Sequence, residues 1–144
     1  YKVTWAGQVA TALDCAVVGP TERGTVTLPD QTAYYIDFDD RSEAHYVCAL
    51  LNSSPIRLLY RSFLYKHVSL SFIDTLEIPR FDVSNDWMIR LAEWSRQAHE
   101  SAATGETERV RAAERAVDEI AAELWGIDAA EQAAIQDSLA LLTT

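Results

Sequence analysis

Residues 44–60, AHYVCALLNSSPIRLLY, form the most apolar run of the chain, and the run is interrupted once, at residues 52–55. On both sides of the interruption, apolar side chains recur at the three- and four-residue spacing of a helix. Pro55 is unfavourable inside a helix but suits its first turn, with Ser54 as the preceding cap. The pattern therefore predicts two helices joined by a sharp corner.

The segments around this corner predict an α+β fold. Asp40 and Glu43 have the spacing of a capping box that opens the first helix. β-branched and aromatic residues bounded by glycine, proline and aspartate predict strands before the corner. These predicted strands cover residues 3–5, 13–18, 25–28 and 32–38, and residues 68–78 return to strand-like sequence after it.

The remainder of the chain predicts helices in a small bundle, or a hairpin plus a cap. Ser84 or Asn85 caps the first of these helices, and Gly126 ends the second. A coiled-coil-like stripe lies on the second helix, at Val110, Ala113, Val117, Ile120 and Leu124. A capping box of Asp128 and Glu131 opens the last helix. We divide the chain into an α+β region, residues 1–82, and a helical segment, residues 83–144.

Charge differs between the two halves of this 144-residue chain, whose net charge is −10. Residues 1–80 hold 7 Lys/Arg and 9 Asp/Glu, and residues 81–144 hold 5 and 13, which gives −2 and −8. The acidic half is not expected to lie on nucleic acid, whereas the first half could do so through a local basic patch. The absence of a signal peptide and of a membrane-length apolar run predicts a cytoplasmic protein. A start without Met suggests a fragment of a longer chain.

Motifs for catalysis or metal binding are missing from the sequence. The three histidines lack metal-ligand spacing, and the chain has no phosphate-binding glycine loop or Gly-x-Ser-x-Gly elbow. Cys15 and Cys48 lie among apolar residues and are predicted to be buried thiols, not a disulfide or a metal pair. The carboxylates Asp37, Asp39 and Asp40 could bind a cation, but capping and turn roles are favoured. Core packing is similarly favoured for Trp87, Trp94 and Trp125.

A basic cluster follows the corner and is the clearest candidate for binding. Lysine and arginine neutralise phosphates, and interleaved tyrosines can stack or form hydrogen bonds. The candidate DNA-binding residues are Arg57, Arg61, Lys66 and His67, with Tyr60 and Tyr65 between them.

Four short segments form a recognisable series along the chain: residues 28–36, residues 44–53, residues 78–82 and residues 123–127. In this order they resemble the C-terminal target-recognition region of adenine-specific DNA methyltransferases. More narrowly, they are similar to the TaqI-like specificity domain of fused type II restriction–modification enzymes.

The resemblance implies a domain that reads double-stranded DNA and packs on the catalytic part of the same parent chain. The family's Asn/Asp-Pro-Pro-aromatic tetrapeptide and glycine-containing cofactor loop do not occur in this sequence. The fragment is therefore expected to hold no cofactor and to be non-catalytic, whereas S-adenosylmethionine is implied for the parent enzyme. Whether the parent also cleaves DNA stays open. The Leu-Asn-Ser corner of the family matches residues 51–53, where we interpret it as structural.

A protein-interaction module is the alternative from another class. In that hypothesis the acidic C-terminal helices bind a partner subunit through the stripe from Val110 to Leu124, and the basic cluster is incidental. Packing of the stripe within the molecule is the favoured interpretation of so short a heptad pattern. A free-standing hydrolase lacks a recognisable set of nucleophile, base and orienting residue.

Overall fold

A largely buried helix, α1 (Arg41–Asn52), lies at the centre of the computed structural model, which describes residues 1–7, 13–63 and 71–142. Eight consecutive residues of α1, from Ala44 to Leu51, are buried. The helix begins as the sequence predicts, because the Asp40 carboxylate accepts a hydrogen bond from the Glu43 amide at 2.8 Å. A helix buried on all sides packs against several neighbours, and α1 contacts both the sheet and the C-terminal helices.

A three-stranded antiparallel sheet covers one side of α1. Its order is β2-β1-β3, with β1 (Lys2–Ala6), β2 (Ala16–Val18) and β3 (Ala33–Asp37). Val3 of β1 lies opposite Val17 of β2 and Ile36 of β3. Val3 is fully buried, so the central strand directs its apolar side chains towards the core. The predicted α+β class and these three strands are confirmed, although β2 is shorter than predicted.

Two predicted strands are wrong where the structure describes them. Residues 25–28 form no strand, and Val26 and Leu28 are exposed because no neighbouring strand covers their alternating side chains. The second segment contains a single helical turn, α3 (Ser71–Asp74). Phe72 in this turn is buried, and its ring packs 5.4 Å from that of Tyr60. Aromatic packing thus overrides the β-like alternation, and residues 68–70 of this prediction lie outside the described residues.

The predicted corner between two helices is present, with a small correction. Helix α2 (Ser54–Phe63) follows α1 after one extended residue, Ser53. The Ser53 carbonyl accepts the hydrogen bond from the Arg57 amide at 2.9 Å. Ser54 is therefore the first residue of α2 and not its cap. Ser53 is fully buried, and its hydroxyl donates to the Leu50 carbonyl, which satisfies both groups at the bend.

Three further helices complete the described chain: α4 (Asp86–Ala103), α5 (Thr107–Trp125) and α6 (Ala129–Leu142). Asn85 caps α4, and Gly126 ends α5 with a φ of 65°, in the left-handed region that glycine tolerates best. Helices α4 and α5 form a hairpin that packs on α1, whereas α6 packs on α2. The predicted hairpin is present, and a bundle of α4, α5 and α6 is not formed.

One hydrophobic cluster connects the sheet, α1, α2, α4 and α5. It includes Leu50 of α1, Leu91 of α4 and Ile120 of α5. The core is therefore continuous across residue 82, and the division at that residue stays a prediction. Within the described part of the chain, each helix is too short or too polar to span a lipid bilayer.

Candidate functional site

The end of α1 is tied to the segment before β2 by Asn52. Its carboxamide oxygen accepts a hydrogen bond from the Cys15 amide, and its amide nitrogen donates to the Cys15 carbonyl, both at 2.8 Å. These two bonds satisfy the backbone amide and carbonyl of Cys15, which is buried and lies just before the residues of β2 that pair with β1. Asn52 therefore fixes the corner, as the structural interpretation of the Leu-Asn-Ser segment predicts.

The start of α2 is held by Asp118 of α5. The Asp118 carboxylate accepts a hydrogen bond from the Ser54 amide at 2.7 Å and a second one from the Ser54 hydroxyl. Asp118 is buried, and a carboxylate at a helix N-terminus is stabilised by the unpaired amides and the helix dipole. Our sequence interpretation missed this residue. The sequence carries no signal that singles it out, because Asp118 and the exposed Glu119 both lie between Val117 and Ile120.

Arg57 contacts carboxylates and a carbonyl of the protein itself. Its guanidinium pairs with Asp14 at 2.7 Å, donates to the Leu13 carbonyl at 3.2 Å and lies 3.8 Å from Glu114. The arginine side chain is 28% exposed. A phosphate contact by Arg57 would therefore require separation from Asp14.

The other members of the basic cluster differ in their surroundings. The Arg61 guanidinium donates to the backbone carbonyl of Leu142 at the end of α6. Cations are favoured at a helix C-terminus, so this contact helps to hold α6 against α2. Lys66 and His67 lie outside the described residues. Arg57 and Arg61 thus share α2 but face different partners, and their assignment to DNA stays a prediction.

Two histidines meet beneath β2, a pairing that the sequence interpretation did not anticipate. The rings of His45 and His99 lie edge to face, 5.1 Å apart. His99 Nδ1 contacts the Ser95 carbonyl at 2.7 Å, and its Nε2 accepts from the Val17 amide at 2.9 Å. Burial, then the neighbouring His99, lowers the pKa of His45 to about 4. His45 Nδ1 lies 3.0 Å from the Ser95 hydroxyl, so both rings form hydrogen bonds within the fold.

The two cysteines are free and buried, as predicted. Burial raises the pKa of Cys48 to about 12 and also raises that of Cys15. Thiols with raised pKa values are poor nucleophiles because the thiolate is the reactive form. The thiol of Cys48 donates to the Cys15 carbonyl.

Two of the three clustered carboxylates, Asp37 and Asp40, have structural partners. Asp37 pairs with Lys2 at 2.8 Å, and Asp40 caps α1. The three tryptophans of the C-terminal half, Trp87, Trp94 and Trp125, pack against the core, as predicted. Residues 1–7, 13–63 and 71–142 contain no group of three or more His, Cys, Asp or Glu arranged to hold a metal ion.

All four segments that carry the family resemblance contribute side chains to one hydrophobic cluster. The Tyr46 hydroxyl donates to the Pro79 carbonyl at 2.9 Å, and its ring lies 5.5 Å from that of Phe81. Leu124 and Trp125, from the last segment, pack against the same core cluster.

Comparison with protein-family models, with curated proteins and with solved structures finds no match to this chain.

Proposed function

We propose that this chain is a DNA sequence-recognition domain of a bacterial restriction–modification enzyme that methylates adenine. The proposal is supported by four family-like segments that occur in order and contribute side chains to one hydrophobic cluster. The chain itself is non-catalytic in this proposal. S-adenosylmethionine and the methyl-transfer site belong to the catalytic part of the parent chain, with or without an endonuclease.

Contacts with DNA phosphates are assigned to α2 and the segment after it. Arg61 is the best placed of the described candidates, because its guanidinium bonds a backbone carbonyl near the helix end and not a carboxylate. Arg57 is less available, because phosphate would compete with Asp14. Lys66 and His67 remain candidates from sequence. Phosphate contacts of this kind set the register of the protein on the duplex, and base edges are read by other side chains.

The test is binding of the 144-residue chain to a pool of random DNA duplexes at low and moderate salt. The proposal predicts salt-sensitive binding that enriches a short motif. Arg61→Ala should weaken binding to all sequences and reduce the salt slope by about one. Arg111→Ala is the matched control, since Arg111 is an exposed cation on α5 that pairs with Glu108. Equal losses in the two variants would contradict a DNA-contacting role for α2.

A docking module is the second candidate function, and α6 favours it. None of the residues of α6 is buried, and Leu142 is 49% exposed although the helix is largely apolar. The stripe on α5 is not available to a partner, because Ala113, Val117 and Ile120 are buried within the molecule. Sedimentation measurements with and without DNA separate the two candidates. Self-association or partner binding that ignores DNA would favour docking.

A further inference from the structure

An apolar cavity of about 250 Å³ opens where β2, α1, α4 and α5 meet. Its walls are mainly small or apolar side chains, including Ala49, Trp94, Ala98, Ala102, Val110 and Val117. This lining fits the general character of small-molecule sites, which are apolar clefts with a few converging polar groups. A dry cavity of about 150 Å³ can hold benzene, so a volume of 250 Å³ has room for a two-ring group.

Three charged side chains line the same cavity, and their sum is negative. Arg57 carries one positive charge, and Asp14 and Glu114 each carry one negative charge. Arg57 forms its close ion pair with Asp14 at 2.7 Å, whereas Glu114 lies 3.8 Å from the guanidinium. A distance of 3.8 Å is too long for a hydrogen bond. Glu114, which is 46% exposed, therefore keeps capacity to accept hydrogen bonds from a ligand.

The surrounding charge also favours a positive ligand. The helices that form most of the wall belong to residues 81–144, which carry a net charge of −8. The positive charge of Arg57 is balanced by its ion pair with Asp14, so Glu114 and this field would repel an anionic ligand and attract a cation. A carboxylate also forms strong charge-assisted hydrogen bonds with an ammonium group.

We propose that this cavity binds a small organic monocation, a primary ammonium group attached to an apolar body of about two rings. The body occupies the space beside Trp94 and Ala98, and the ammonium group donates hydrogen bonds to Glu114. This site is separate from the proposed DNA contacts of Arg61 and does not depend on them.

Tryptamine is the probe, compared with neutral 3-ethylindole and anionic indole-3-acetate. Binding to the full chain is followed by NMR chemical-shift changes at cavity-lining amides and by calorimetry. We expect tryptamine to shift residues that line the cavity and to bind about tenfold more tightly than either analogue, because only the cation bonds the carboxylate. Equal affinities for the three indoles, or shifts confined to other surfaces, would overturn the proposal.

Variants test separately the contribution of the Glu114 carboxylate and that of the cavity volume. Glu114→Gln should weaken tryptamine binding about tenfold and leave 3-ethylindole unchanged. Glu119→Gln, an exposed carboxylate elsewhere on α5, should change neither. Ala98→Leu should abolish binding of both ligands by filling the cavity, and Ala102→Leu repeats this test at a more exposed position if the first variant unfolds. Full tryptamine binding in a folded cavity-filling variant would refute the site.

Discussion

Helices α1 and α6 begin in the same way but differ completely in burial. Asp40 caps α1, and Asp128 caps α6 by accepting from the Glu131 amide at 2.9 Å. Eight residues of α1 are buried and none of α6 is, although both helices are largely apolar. The difference lies in their neighbours, because α1 packs against the sheet, α2, α4 and α5, whereas α6 packs mainly against α2. Local signals set where a helix begins, and contacts with other elements set how much it stabilises the fold.

The largest expected effect comes from truncating the centre of α1. Leu50 is fully buried, and Leu50→Ala removes apolar contacts and leaves a cavity. We expect the free energy of unfolding to fall by about 2–5 kcal/mol, as for other buried leucines. Urea unfolding followed by far-UV circular dichroism measures the change. A loss below about 1 kcal/mol would break the comparison, because it would mean that α1 is not the packing centre.

The second effect tests α2, the helix that lies between α1 and α6. Asp118→Ala leaves the partly buried amide and hydroxyl of Ser54 without their acceptor. We expect a loss of about 1–3 kcal/mol, the usual range for donors that lose their partner when folding shields them from water. Glu119→Ala changes the next residue of α5, which is exposed, and serves as the control. Equal losses in the two variants would show that the cap of α2 contributes little.

The third effect is a pH dependence that originates in α1. Because the pKa of His45 is lowered to about 4 in the folded protein and is about 6.5 when unfolded, folding favours the neutral ring. The corresponding stability is complete above pH 6.5 and is lost as the pH falls towards 4. One pKa unit corresponds to about 1.4 kcal/mol, and screening by nearby solvent reduces the total to about 1–2 kcal/mol.

The measurement compares unfolding of the wild type and His45→Gln in urea between pH 7 and pH 4. His45 faces His99, Arg41, Arg96 and Glu100, and all four remain in the variant. The carboxylates of the wild type and of the variant titrate alike near pH 4. The difference between the two proteins in free energy of unfolding, followed against pH, therefore reports on His45. A constant difference across this pH range would argue against a buried neutral ring.

The smallest effect concerns α6. Leu142→Ala makes the same chemical change as Leu50→Ala, but at a side chain that is 49% exposed. We expect a change of less than about 0.5 kcal/mol in the free energy of unfolding. The Arg61 contact with the Leu142 carbonyl should persist, since it uses the backbone. A loss as large as that of Leu50→Ala would show that α6 belongs to the core and would contradict the difference in burial between α1 and α6.

Local sequence signals predicted the helix boundaries well. Asp40, Asn85 and Gly126 act at short range, through their own backbone and that of the next few residues, so their roles are visible in the sequence. The strand at residues 25–28 failed because alternation says nothing about whether a partner strand is present. The strand predicted around Phe72 failed for a related reason, because the ring of Phe72 packs against Tyr60 on another helix, and the local sequence does not show this contact.

The candidate site was harder to predict than the fold. The cluster of Arg57, Arg61, Lys66 and His67 is local in sequence, but the partners of its arginines are distant. Asp14 is 43 residues from Arg57, and Leu142 is 81 residues from Arg61. Asp118 was missed because its partner, Ser54, is 64 residues away. Ion pairs and caps formed across the fold leave little trace in a single sequence, and Asp118 cannot be told there from its exposed neighbour Glu119.

The distance along the chain between α1 and its covering helices also matters during synthesis. His45 of α1 and its partner Ser95 of α4 are 50 positions apart. At a translation rate of roughly 5–20 residues per second, α1 waits roughly 3–10 s for its main covering helix, α4. During that interval only the sheet, which precedes α1 in the chain, can cover the helix, and its remaining apolar side chains are exposed to aggregation or to chaperones. The centre of the finished fold is thus left partly uncovered for seconds in the growing chain.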